Sequence, residues 1–367
     1  MNKESRIGFL LEKRRQDDAL RELKPFSDSL VDFSSNDYLG LARSEALKVR
    51  IQEAYHEQTF KNGSTGSRLL TGNSQLTEEC EVKLARFFGF EASTVFNSGY
   101  MANLAFFSSV PQRGDTVIYD EYAHACIKDG CRLSHAKRLS FKHNDLGDLE
   151  KKIKESTGEI FIACESVYSM DGDLAPIQDI IALAKSHQAK VVVDEAHSTG
   201  IFGNHGEGLI AQMGVQEGVF AVIYTFGKAM GIHGACISGS QLLKDFIINF
   251  SRPFIYTTAP SAFEITSIMQ SYDFLKDNSV LIQQLKDNIA YFNQQLPDHQ
   301  SPSAIKSIII GGNGPTKKLA DKLKDIGLDV RPILSPTVKT GTERLRICLH
   351  AFNTESEIDL ICKQIKG

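Results

Sequence analysis

No apolar run in the 367-residue chain approaches the roughly 20 residues needed to cross a bilayer, so a membrane-spanning helix is not expected. The N-terminal stretch MNKESRIGFLLEKRRQDDALRELK mixes charges of both signs and has no apolar core segment. It reads as an amphipathic helix with an apolar stripe rather than a secretory signal. The seven cysteines (Cys80, Cys126, Cys131, Cys164, Cys236, Cys348, Cys362) are odd in number, scattered, and include no C-x-x-C pair. That pattern suits reduced thiols in a cytoplasmic protein, most of them serving as small core residues. A formal net charge of -4 argues against wholesale nucleic-acid binding. Internal repeats and low-complexity tracts are also missing.

What is present is an alternation of short apolar runs with longer amphipathic ones. Strands are expected at 93–97, 115–119, 136–141, 159–165, 189–195, 220–226 and 234–239, with helical patterns between many of them. Pro176 is expected to open the helix IQDIIALAKSH, where its missing N–H costs least. Such alternation implies βαβ units and an α/β fold with a mainly parallel sheet covered on both faces. Beyond about residue 260 the pattern changes to long helices, a strand-like SIIIGG, the helix TKKLADKLKDIG, strands near LDVRPI and RLRICLH, and a closing helix from Thr354. The expected organisation is an N-terminal helix and arm (1–48), a large α/β domain (49–258) and a smaller α+β domain (259–367).

In open α/β sheets, ligands gather at the C-terminal ends of strands, and five polar clusters fall there. Asp194-Glu-Ala-His197 follows VVV; a carboxylate at the end of a buried strand is costly unless a cation meets it, although it could also cap the next helix. A metal site from Asp194, His197 and His205 lacks a recognisable spacing. Thr225-Phe-Gly-Lys228-Ala-Met-Gly231 follows AVIY and presents one lysine on a flexible turn. It is not a phosphate-binding P-loop, because position 222 is Val where that motif needs Gly. A Schiff-base lysine would suit it, as would an ordinary surface residue. Asn97-Ser98-Gly99-Tyr100 joins a strand to a helix, where backbone N–H groups can receive a phosphate. His124 could stack on a flat ring or sit as a core histidine. Ser169, in the turn ESVYSMDGD, could donate to a ring hydroxyl or cap the turn. Together the five supply a carboxylate for a pyridine nitrogen, a stacking ring, a phosphate cradle and an imine lysine, the parts needed to seat pyridoxal 5'-phosphate.

The stretches SSNDYLGL (34–41), GSTGSRLLTGN (63–73), FNSGYMANLA (96–105), ESVYSMDGDLAPI (165–177), VDEAHSTGIFG (193–203), TFGKAMGIHGA (225–235), RPFIYTTA (252–259) and RLRICLHAFNTESEID (344–359) cover nearly the whole chain. In them the sequence resembles the α-oxoamine synthases, a group within the fold-type-I pyridoxal-phosphate enzymes. The resemblance implies a large domain with a mainly parallel sheet, a smaller C-terminal domain, and decarboxylative condensation of a small amino acid with an acyl-CoA or acyl-carrier-protein thioester. It makes Lys228 the Schiff-base lysine, Asp194 the pyridinium partner and His124 the stacking residue, with Ser169 and His197 near the ring hydroxyl. Ser98, Gly99, Tyr100 and Thr225 resemble the phosphate site, which Thr257 or Thr258 of a second subunit would complete in a homodimer. Asn36 and one of Arg344 and Arg346, of which Arg346 is favoured, resemble the groups that hold the substrate carboxylate. No metal is implied. An aminotransferase on the same fold would use the same lysine and aspartate. The chain departs from the family pattern at Thr77 and Cys80-Glu81, and in a shorter segment after Thr258 that borders the acyl-chain channel.

Overall fold

A computed structural model describes residues 3–23, 29–56 and 61–366. The readings of the N-terminus that touch residues 1, 2 and 24 lie outside them. The chain divides into two compact units, one of residues 37–169 and 173–284, the other of residues 1–36, 170–172 and 285–367.

The larger unit is built on a seven-stranded sheet. Its strands are β1 (Ala92–Phe96), β2 (Thr116–Asp120), β3 (Lys137–Phe141), β4 (Ile160–Glu165), β5 (Lys190–Asp194), β6 (Ala221–Thr225) and β7 (Ala235–Gly239). Each lies within two residues of an apolar run expected from the sequence. The order across the sheet is β1-β7-β6-β5-β4-β2-β3. Pairing is parallel everywhere except at β7, which runs antiparallel to both β1 and β6. Helices cover the faces, which is why strands such as Val191-Val192-Val193 are apolar without alternation.

Local chemistry fixes the helices that matter for the site. The Gly99–Ser109 helix is capped by the Ser98 hydroxyl, which accepts from the Met101 N–H at 3.3 Å. It packs on the Ala125–Leu133 helix, where a Cβ at Gly130 would lie 2.7 Å from Phe107 Cβ, so glycine permits the close approach. The Ala262–Asp277 helix opens with a reciprocal cap between Ser261 and Glu264. Thr77 takes part in another cap: its N–H donates to the Ser74 hydroxyl that starts the Gln75–Phe88 helix. Pro176 stands one position before the Ile177–Ser186 helix, and its carbonyl accepts from Ile180.

The smaller unit holds an antiparallel sheet of β8 (Ile305–Ile309), β9 (Arg331–Ile333) and β10 (Arg344–Cys348), with β10 central. The helices Asn313–Asp325 and Glu355–Lys366 belong to it, and residues 31–32 pair in parallel with 328–329. The N-terminal helix Lys3–Gln16 leaves Ile7, Phe9, Leu10 and Leu11 exposed on this chain. Among the described residues no helix is long and apolar enough to cross a membrane.

Candidate active site

Strand register brings the polar clusters of the larger unit to one edge. Phe96 and Thr225 both pair with Ala235, Asp194 pairs with Ile223, and Glu165 pairs with Asp194. The residues that follow β1, β4, β5 and β6 therefore emerge side by side, where a parallel sheet collects ligands.

Lys228 stands on the short connection between β6 and β7, half-buried, in a loop closed by the Phe226 N–H donating to the Gly234 carbonyl at 3.0 Å. Gly231 gives this loop its path. It has φ +67°, and a Cβ there would fall 2.3 Å from the Ala42 nitrogen.

Asp194 is buried at the end of β5. One carboxylate oxygen accepts from the Ala196 N–H at 2.8 Å and the other from Asn103 Nδ2 at 2.7 Å. These two donors satisfy both oxygens of a carboxyl group buried away from water. Three residues on, His197 Nδ1 lies 2.8 Å from the hydroxyl of the buried Tyr38.

Gly99 opens the helix after β1 so close to β6 that a Cβ would lie 2.3 Å from Thr225 Cγ2. The Thr225 hydroxyl is buried and has no hydrogen-bond partner among the described residues. A helix N-terminus, a glycine that cannot be enlarged and an orphaned hydroxyl form a cradle with an unmet need for an acceptor. Tyr100 lies in the same first turn, its hydroxyl donating to Asp129. Asn97 Nδ2 donates to the Thr258 carbonyl at 3.0 Å; Thr258 is exposed and Thr257 half-buried.

His124 caps the Ala125–Leu133 helix with Nδ1, which accepts from the Cys126 N–H at 3.3 Å and lies 2.9 Å from Cys126 Sγ. Burial lowers its pKa; Asp194 opposes that and Lys228 adds to it. The ring is therefore neutral and able to lie flat against another ring. Glu165 accepts from the His124 N–H at 2.6 Å. Burial and the neighbouring Asp194 push its carboxyl up to about 8, against the pull of Lys228. Ser169 is buried in the turn that begins at Glu165.

That turn is tied down by an ionic clamp. His143, just beyond β3, places Nδ1 3.0 Å from the Asp120 carboxylate at the end of β2 and Nε2 2.7 Å from Asp173. Asn144 Nδ2 adds a bond to Asp173 at 2.9 Å, and Tyr122 stacks on the imidazole at 4.4 Å.

In the smaller unit, Arg346 donates to Asn36 Oδ1 at 3.0 Å, which unites the two residues expected to hold a carboxylate. Arg344 is buried and engaged differently, with Asp171 and with the Thr342 carbonyl at 2.9 Å. The two arginines, equally spaced on the strand, thus have different partners. His205 forms no metal cluster with Asp194 and His197, and among the described residues no group of three or more His, Cys, Asp or Glu is placed to hold a metal. Sequence reasoning missed Asn103, Tyr38, Cys126 and the clamp. The available signal was a polar residue inside an apolar helix or directly before a turn, which is common and indistinct.

A half-buried lysine, an anchored carboxylate, a neutral imidazole and a helix N-terminus beside an orphaned hydroxyl, all at one edge of the sheet, are groups that fit a phosphorylated pyridine aldehyde. The chain belongs to the aminotransferase class I and II family, whose model matches residues 28–365, and within it to the α-oxoamine synthases. It is 38% identical over 341 residues to an 8-amino-7-oxononanoate synthase of Lysinibacillus sphaericus, covering 91% of this chain and 87% of the relative. Its fold is similar to that of a serine palmitoyltransferase solved with pyridoxal phosphate, at TM-score 0.91 and 26% identity over 100% of this chain and 98% of that one. An 8-amino-7-oxononanoate synthase from Francisella tularensis matches at TM-score 0.80 and 29% identity, over 92% of this chain and 97% of that one.

Proposed function

We propose that this chain condenses L-alanine with pimeloyl-CoA or the pimeloyl-carrier-protein thioester to give 8-amino-7-oxononanoate, a step of biotin synthesis. It is a pyridoxal-phosphate-dependent C-acyltransferase. The observation that carries the choice of substrates is the 38% identity, along nearly the full chain, to a synthase of that name. The backbone is also very similar to serine palmitoyltransferase, but backbone likeness reports the shared fold, and the identity there is 26%.

Bound pyridoxal phosphate supplies an electron sink for charge at the α-carbon of the amino acid. Lys228 would hold the cofactor through its amine and, once free, would be the base that removes the α-proton and the acid that returns one. The Asp194 carboxylate, held by Asn103 and Ala196, would face the pyridine nitrogen and stabilise a proton there. His124 would cover one face of the ring as a neutral imidazole, with Ser169 and His197 towards its hydroxyl. The Ser98–Tyr100 turn and the Thr225 hydroxyl would hold the phosphate, with Thr257 or Thr258 of a second copy in a homodimer completing the site. Arg346 and Asn36 hold the amino-acid carboxylate. The α-carbon bonds to the thioester carbonyl carbon as the thiolate leaves, and the α-carboxylate is lost as carbon dioxide. The seven cysteines form no disulfide, which suits work in the cytoplasm.

The test is an absorbance spectrum of the purified protein before and after L-alanine, glycine or L-serine, followed by pimeloyl-CoA. A visible band that L-alanine perturbs, with thiol release on adding pimeloyl-CoA, is expected. A response to glycine or L-serine alone would transfer the proposal to a glycine C-acetyltransferase, 5-aminolevulinate synthase or serine palmitoyltransferase reaction.

A further inference from the structure

Asn103 is out of place by any local rule. It lies mid-helix in GYMANLAFFSS, fully buried, where a packed helix calls for Ala or Leu. Burying an amide is unfavourable unless its groups are bonded, and the Asn103 carbonyl oxygen has no partner among the described residues. The amide nitrogen, by contrast, spends both hydrogens. One goes to the Gly99 carbonyl at 3.1 Å, in the first turn of the same helix, and the other to Asp194 Oδ2 at 2.7 Å. Apolar packing would be served better by a hydrocarbon side chain, so the amide has to be accounted for by what it bonds.

We infer that Asn103 is a positioning residue for Asp194: its amide fixes the carboxylate's orientation and ties it to the helix turn that forms the phosphate cradle. This rests on the cofactor reading above. Asp194 has two anchors of different kinds. The Ala196 N–H belongs to its own turn and would accompany any movement of it, whereas the Asn103 amide comes from a different element. Only the second fixes the carboxylate relative to the phosphate end of the seat. A donor on a carboxylate favours its charged form. Without it the carboxylate is freer to rotate, and its hold on a proton at the pyridine nitrogen would weaken. The ring's electron demand then falls, and the imine nitrogen of the tethered lysine becomes more basic.

The experiment uses the holoenzyme and Asn103→Leu, which keeps the branched shape of the side chain and removes the donor, with Asn103→Asp as a second variant should the first not fold. Three quantities are measured: the pH midpoint of the visible cofactor band, the dissociation constant of pyridoxal phosphate, and the melting temperature of the cofactor-free protein. The pH midpoint is expected to rise. Cofactor affinity is expected to fall roughly 10–100-fold, the scale of one hydrogen bond to a charged group. The cofactor-free melting temperature is expected to fall modestly, because Asp194 and the Gly99 carbonyl each lose a donor while one unsatisfied carbonyl is removed. A lower melting temperature with unchanged pH midpoint and affinity would make Asn103 a packing residue and overturn the inference. A wild-type protein with no visible band would instead refute the cofactor reading on which it depends.

Discussion

Replacing His143 by Gln removes the centre of the clamp that holds the Ser169 turn, and its effect on stability should depend on pH in a definite direction. The imidazole bridges Asp120, whose side chain is 0% exposed, and Asp173. Burial by itself would lower the His143 pKa, but the bonds to Asp120 and then Asp173 raise it from 6.5 to about 10. Asp120 is pushed up by burial, yet the bond from His143 and the N–H groups of Asn144 and Tyr122 hold it below its ordinary value. After substitution Asp120 keeps those two backbone donors, at 3.0 and 2.7 Å, so its charge is not left bare. The loss is then about 3 kcal/mol, that of a strong charged hydrogen bond, below the ~5 kcal/mol at the top of the range for a stranded buried charge. Because the folded pKa of His143 is raised, its contribution is complete below about pH 6.5, where the unfolded imidazole is also protonated. It declines as pH rises and is lost on passing about pH 10. The depressed Asp120 sets the acid limit, its contribution disappearing as pH falls through the folded value. Urea unfolding of wild type and His143→Gln between about pH 5 and pH 10 measures the gap directly. The gap should be widest near pH 5–6 and should close towards pH 10. A gap independent of pH, or one that widens with alkali, would refute a charged clamp.

Other outcomes follow from contacts of the same kind. Gly99→Ala drives a Cβ into Thr225 and should weaken pyridoxal-phosphate binding by about tenfold or more, the worth of one phosphate bond, read by cofactor titration. Glu81, 1% exposed, is bonded to Arg68 at 2.7 Å, Lys244 at 2.8 Å and the Val95 N–H at 2.9 Å. Glu81→Ala leaves two cations facing each other and should cost about 3–5 kcal/mol in urea unfolding. Arg346→Ala should raise the KM for the amino acid at least about tenfold with little change in stability. Arg344→Ala, which strands Asp171, should lower the melting temperature instead; the reverse pattern would exchange their roles. Lys228→Ala should abolish turnover and the visible band while the far-ultraviolet circular dichroism spectrum is retained.

Much of the larger unit was legible from sequence because buried strands of a mainly parallel sheet must be apolar along their length. Seven expected runs give seven strands, and the polar residues Asp120, Glu165, Asp194 and Thr225 that end four of them mark the ligand edge. Lys228 and Asp194 could be read the same way, since a charge directly after a buried strand needs a local reason. Other features depend on which elements become neighbours. GACISG looks like its parallel counterparts, yet it turns back beside β6 because the link from Thr225 to Ala235 is too short for a crossover helix. The grouping of residues 1–36 with 285–367 depends on pairings such as Val31 with Leu328, for which no local pattern codes. Asn103, set among alanines and phenylalanines, acquires its role only when its helix meets the end of β5. Arg344 and Arg346 have the same spacing and chemistry, and differ only once folding gives one an aspartate and the other Asn36. By itself the sequence determined where apolar surface must be buried and which charges stand at its margin, because both follow from the local pattern. Only the tertiary structure decided which donor meets which acceptor, because a hydrogen bond depends on a few tenths of an ångström between residues far apart in the chain.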